Sequence, residues 1–143
     1  LVIVGDGPVR AVLEAAIARL PTPGYAQLTG RRMDPDRLLT AFDVFALSSR
    51  SEGLPLVVPE AMASGLPVVT TGVGGLTDVI EDGVTGILVP VDERALRAAL
   101  AALETDRDKA HRMGARARHV ALARYSADRM LDEYLALYQH RRT

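Results

Sequence analysis

A chain of 143 residues, 48% hydrophobic and 24% charged, has the make-up of about one globular domain able to bury a sizeable core. Its formal net charge of −1 gives no electrostatic case for nucleic acid or an anionic membrane as partner of the whole chain. With no cysteine, disulfides, cysteine metal sites and thiol catalysis are excluded and a reducing compartment is allowed; no apolar run approaches the ~20 residues of a membrane span.

The chain opens on Leu1 rather than Met, already inside an apolar run, and is expected to be a piece of something longer. Leu1-Val2-Ile3-Val4 suits a strand buried on both faces of a parallel sheet. Gly5-Asp6-Gly7-Pro8 turns, and Val9, Val12, Leu13, Ala16, Ile17 and Leu20 recur at helical spacing until Pro21. The G-x-G-x-x-G of a dinucleotide fingerprint is incomplete here, which leaves a tight strand-to-helix turn. A second strand is expected over Tyr25 to Thr29, with a turn at Gly30. Asp34-Pro35 then starts a helix, with Asp34 as its cap and Leu38, Leu39 and Phe42 facing inward.

Asp43 to Leu47 reads as the third strand, the stretch Ser48 to Pro55 as its loop, and Leu56 to Ser64 as a helix of about two turns that tolerates Pro59 in its first turn. Val68 to Thr71 is the fourth strand, followed by the Gly72-Val73-Gly74-Gly75 loop and a helical turn around Asp78-Val79-Ile80. Gly86 to Val89 is the fifth strand. Helices finish the chain. Asp92 caps one with Ala95, Leu96, Ala99, Leu100 and Leu103 as its stripe. A second carries Met113, Ala117, Val120 and Ala121. Ser126 caps a third, with Met130, Leu131, Tyr134, Leu135 and Tyr138 on one face.

Strands alternating with helices predict an α/β fold: a doubly wound, Rossmann-like parallel sheet of about five strands, with helices on both faces and C-terminal helices. Ligands of such sheets bind beyond the carboxyl ends of the strands, so the loops after each strand are the candidate sites. In one of them Glu52 and Glu60 lie eight positions apart. A carboxylate accepts from two hydroxyls at once, which suits a ribose diol or a hexose. Gly53 admits close backbone approach, and the amides from Gly53 to Leu56, at a helix start, suit a phosphate or a sugar oxygen. The plainer alternative is a solvated loop glutamate and a helix-dipole partner. Gly74-Gly75 could face a ligand or only turn the chain. His111, His119 and His140 lie in the late helices without metal-ligand spacing, and no metal site is expected.

Glu52-Gly53-Leu54-Pro55-Leu56, Glu60-Ala61-Met62-Ala63, Gly65-Leu66-Pro67-Val68-Val69, Gly74-Gly75 and Asp82 through Pro90 appear in one order. Together they resemble the carboxy-terminal, nucleotide-sugar-binding domain of a group 1 glycosyltransferase (family GT4, GT-B fold, retaining), with Glu52 and Glu60 as its E-x7-E motif. The resemblance covers nearly the whole chain and implies a single domain over 1–143 that lacks its first strand. It implies that Glu52, the catalytic candidate, reads the transferred hexose, that Glu60 reads the ribose, and that Gly53, Leu54, Pro55 and Leu56 line sugar and diphosphate. Gly30 and Arg31 would lie beside the nucleobase, although Arg31 and Arg32 also read as plain surface arginines. The donor would be a nucleotide-diphosphate sugar held without metal or other cofactor.

The family's diphosphate clamp of an arginine and a lysine is not found, since the sole lysine is Lys109 in a late helix. The acceptor would be bound by an amino-terminal domain that this sequence does not include. The chain alone is therefore expected to be inactive and to bind donor weakly. Unpaired sheet edges give an expectation of self-association; the expected place is the cytoplasm or the cytoplasmic face of a membrane. The competing reading is a non-catalytic GT-B-like nucleotide-binding or interaction module, and a weaker one is a GT-B hydrolase or epimerase.

Overall fold

The computed structural model describes residues 1–140. The chain forms two compact units, one over Leu1–Pro35 and one beginning at Asp36. In the first, β1 (Val2–Val4) and β2 (Gln27–Gly30) pair in parallel through α1 (Arg10–Ala18), the crossover that parallel pairing needs. The register runs Val2↔Gln27, Ile3↔Leu28 and Val4↔Gly30, with an irregularity after Ile3. Beyond it, the Gly5 amide donates to the Gly30 carbonyl at 2.9 Å.

The expectation of a first strand buried on both faces is corrected here: Leu1, Val2 and Val4 are exposed, and Ile3 is half-buried. The two-stranded sheet and one nine-residue helix of this unit offer little cover. That helix turns Leu13 and Ile17 partly inward but leaves Val9 and Val12 in solvent, and it ends at Ala18, before Leu20.

The second unit starts within α2 (Pro35–Leu39) and continues with β3 (Phe45–Leu47), α3 (Val57–Ala63), β4 (Val68–Thr71), α4 (Leu76–Val79), β5 (Gly86–Val89), α5 (Glu93–Thr105), α6 (Arg107–Arg124) and α7 (Ala127–His140). Its three strands run parallel in the order β3-β4-β5. The α/β class and the five parallel strands thus stand as the sequence predicts, with the strands divided between two sheets. The strands expected from Tyr25 and Asp43 begin two residues later, at Gln27 and Phe45, and Gly30 closes β2 rather than following it.

β4 is central, and all four of its residues are buried. Alternation along the strand sends Val68 into one core with Val58, Met62, Leu76, Ala117 and Ala121, and Val69 into another with Val89, Leu103, Ala110 and Met113. Both faces of this sheet are covered. Burying each such valine or leucine side chain contributes about 1.5–3 kcal/mol.

The helix ends follow local chemistry. The Asp92 carboxylate accepts from the Ala95 amide at 2.8 Å, Asp106 from Lys109 at 2.8 Å, and the Ser126 hydroxyl oxygen from Arg129 at 3.3 Å. The Asp34 carboxylate, expected to cap α2, instead accepts twice from Arg32, at 2.8 and 2.7 Å. On α7, Met130, Leu131, Tyr134, Leu135 and Tyr138 share a face, and all are 48–68% exposed. No helix among the described residues is long and apolar enough to cross a membrane.

Candidate functional site

The loop that leaves β3 is rooted in the central strand. Thr70 and Thr71 are buried hydroxyls in an apolar layer, where an unmade hydrogen bond would cost about 1–3 kcal/mol. Thr70 Oγ1 donates to the Leu47 carbonyl at 3.0 Å and Thr71 Oγ1 to the Ser49 carbonyl at 2.5 Å. Both bonds reach from β4 to the carboxyl end of β3 and fix where the chain turns away.

Three residues on, Glu52 is half-buried, and its Oε1 accepts from Ser49 Oγ at 2.5 Å. Oε2 has no protein partner among the described residues. One oxygen is thus oriented by the protein, and the other is open to accept a further hydrogen bond.

The same loop is braced from the β4 side. The Gly75 amide donates to the Gly53 carbonyl at 3.0 Å. A Cβ at Gly74 would fall 1.8 Å from the Glu52 carbonyl oxygen, and one at Gly75 2.6 Å from the Gly53 carbonyl oxygen. These glycines are therefore not a turn alone: they let the loop after β4 lie against the backbone of Glu52 and Gly53. Gly53 itself has open space at its Cβ position. Leu54, whose Cβ would be 3.7 Å from a Cβ at Gly75, is exposed, Pro55 is half-buried and Leu56 is exposed.

Glu60 lies in the first turn of α3 and is exposed. With Leu56, Pro59 and Ala63 it faces Leu122, Tyr125 and Ser126 of the α6–α7 corner across a groove of about 280 Å³. Glu52 is thus gathered with Gly53, Leu54 and the Gly74-Gly75 loop, while Glu60 and Leu56 share the groove.

Gly30 and Arg31 belong to the first unit. Gly30 is buried at φ +69°, and its Cβ position is 3.4 Å from Arg10 Nη1 and 3.8 Å from Asp6 Oδ2; Arg31 is exposed. Arg10 there bonds both Asp6, at 3.2 Å, and Glu14, at 2.8 Å. The Glu14 bond, with the two nearby carboxylates, holds the Arg10 guanidinium's pKa above its ordinary value.

Sequence reasoning passed over Ser49, Thr71, Leu122 and Tyr125. Ser48-Ser49 ahead of Glu52 was a legible signal, since a hydroxyl three residues before a carboxylate can bond it across a turn. Nothing local marks Leu122 or Tyr125. Among the described residues, no cluster of three or more histidine, aspartate or glutamate side chains is arranged to hold a metal ion.

The family described as glycosyl transferases group 1 matches residues 1–120. The N-acetyl-alpha-D-glucosaminyl L-malate synthase of Bacillus anthracis is 32% identical over 139 residues, which cover 96% of this chain and 36% of that protein. The GDP-mannose-dependent alpha-mannosyltransferase of Mycobacterium tuberculosis is 39% identical over 150 residues, covering 100% of this chain and 37% of that protein. Among solved structures, HepE from Anabaena in complex with UDP-glucose superposes with a TM-score of 0.82 at 29% identity, over 94% of this chain and 40% of that one. The chain spans less than half the length of each of these proteins. On the family match and these relatives, the chain belongs to the group 1 glycosyl transferases, with the GT-B type of α/β fold.

Proposed function

We propose that this chain is the donor-binding domain of a retaining hexosyltransferase and takes a nucleotide-diphosphate sugar without a metal ion. The observation that carries the reading is the Glu52 carboxylate, held at one oxygen by Ser49 and open at the other, on a loop pinned by Thr71, Gly74 and Gly75. HepE, similar over 94% of this chain, was solved with UDP-glucose. In this reading Glu52 accepts from hexose hydroxyls, Glu60 from the ribose diol, and the amides around Gly53 to Leu56 face the diphosphate. Transfer keeps the anomeric configuration. The acceptor oxygen bonds the anomeric carbon, the bond to the diphosphate breaks, and the acceptor proton leaves with the diphosphate. The acceptor is held by groups that this chain does not carry, so the chain by itself gives no transfer.

Calorimetric titration with UDP-, GDP- and ADP-sugars, with and without EDTA, tests the proposal. One donor should bind equally in both conditions. Glu52→Gln and Glu60→Gln should each weaken it about tenfold or more, the worth of a hydrogen bond to a charged group. Binding of no sugar nucleotide, or unchanged affinity in both variants, would sink the reading.

A further inference from the structure

The chain carries a net charge of −1, yet α6 is strongly basic: Arg107, Lys109, Arg112, Arg116, Arg118 and Arg124 stand against the single carboxylate of Asp108. The residues of α6 divide by role. Ala110, Met113, Gly114, Ala117 and Ala121 are buried under the sheet and α3. Arg107 pairs with Asp43 at 3.1 Å, and Arg118 donates to the Ala63 carbonyl. Lys109, Arg112 and Arg116 have no carboxylate partner among the described residues. They are three and four positions apart, so they lie along one side of the helix.

These three cations line a half-open cavity of about 130 Å³ together with Met113 and with Gly83 and Val84 of the turn before β5. No carboxylate lines it. The nearby Asp82 points its Oδ1 at the Leu88 amide, 2.9 Å away. The Gly83 and Val84 amides are spent on the Gly86 and Glu81 carbonyls, so recognition here falls to the side chains. A volume of 130 Å³ is the room of about four waters. It is well below the ~300 Å³ at which sites for drug-sized ligands begin. That size, with three unpaired cations, suits one phosphate-sized dianion, and arginine's planar fork matches its oxygens.

The cavity is separate from the Glu52 loop. Gly83 and Val84 precede β5, so they stand at the amino ends of a parallel sheet, whereas Ser49, Glu52 and Gly74 follow the carboxyl ends of β3 and β4. A four-residue strand puts about 13 Å between the two edges.

We propose that Lys109, Arg112 and Arg116, with the Gly83–Val84 turn, bind a phosphomonoester group at the sheet edge opposite the donor loops. The group is either a free phosphorylated metabolite or a lipid headgroup. The proposal does not depend on which nucleotide sugar the chain takes, or on whether it takes one.

The test is amide NMR on the ¹⁵N-labelled chain, titrated with inorganic phosphate and glycerol 3-phosphate, together with sedimentation with phosphatidylcholine vesicles with and without phosphatidic acid. Shifts are expected at Gly83, Val84, Lys109, Arg112 and Arg116. Affinity should fall about tenfold for each cation removed in Arg112→Gln and Arg116→Gln. Both are exposed residues, so thermal melts should match the parent. Binding to the soluble phosphates at α6 assigns the site to a metabolite, and binding only to phosphatidic acid vesicles, lost in the double variant, assigns it to a lipid. No binding in either arm, or binding that the double variant retains, would overturn the proposal.

Discussion

Alanine at Gly74 and at Gly75 perturbs the Glu52 loop from outside, without removing a group offered as a ligand contact. Gly75 is at φ −65°, ψ −5°, a conformation open to any residue, so alanine there adds no torsional cost. Its Cβ would nevertheless stand 2.6 Å from the Gly53 carbonyl oxygen, which must yield by several tenths of an ångström and loses its bond from the Gly75 amide. Gly74 is at φ +54°, and its Cβ would meet the Glu52 carbonyl oxygen at 1.8 Å, short of any real contact by more than an ångström. Left-handed backbone costs alanine about 1–2 kcal/mol, and overpacking adds about 1–3 kcal/mol. Gly83→Ala is the control: it shares the positive φ, at +74°, and has no atom within 4 Å of its Cβ position. The gain from a stiffer unfolded chain is common to both and cancels.

Gly74→Ala should therefore lose about 2–5 kcal/mol in urea denaturation against about 1–2 kcal/mol for Gly83→Ala. Displacing the Glu52 loop weakens at most the bonds that Glu52 makes, so sugar-nucleotide affinity should fall about tenfold in Gly74→Ala, as in Glu52→Gln, and less in Gly75→Ala. Equal stability of Gly74→Ala and Gly83→Ala, with donor affinity unchanged, would refute the claim that these glycines set the Glu52 loop.

Three further outcomes follow from the same geometry. In a free helix Gly114→Ala would gain about 0.8–1 kcal/mol. Here the new Cβ lies 2.1 Å from the Gly65 carbonyl oxygen and 3.2 Å from Pro67 Cδ, so denaturation should instead show a net loss of about 1–2 kcal/mol. Thr71→Val keeps shape but removes the bond to the Ser49 carbonyl, and should cost about 0.5–1.5 kcal/mol with a measurable drop in donor affinity. The Arg32 guanidinium, through its hydrogen bonds to the carboxylate, lowers the Asp34 pKa. A depressed folded value means that this pair's contribution is complete above the ordinary aspartate pKa and fades as pH falls through the depressed one. A ¹³C titration of the Asp34 carboxyl should show it, and Arg32→Ala should raise the midpoint.

What was legible in the sequence was local. Asp92 and Ser126 cap helices because a short polar side chain next to an amphipathic run has one good partner, the amide three residues on. Val68 to Thr71 reads as a buried strand because no polar side chain longer than threonine interrupts it. Asp34 was equally local, yet the competing partner won: a guanidinium two residues away offers two charge-assisted bonds against one neutral amide. The exposure of Val2 and Val4 was not legible, because a run of β-branched residues states what a strand prefers and not what covers it.

Gly75 shows why the site itself was only half legible. A glycine forced by its own torsions can be suspected from turn chemistry, as at Gly83. At Gly75 the backbone is ordinary, and the demand for glycine comes from Gly53, 22 positions earlier, whose carbonyl occupies the place of the side chain. Thr71 acts in the same direction, reaching from β4 to the Ser49 carbonyl. The E-x7-E spacing alone made Glu52 look like a property of its own loop. Its position is instead dictated by the neighbouring strand and the turn after it. A substitution on β4 or at Gly74 should thus move Glu52 more than one at Gly53, whose Cβ position is open.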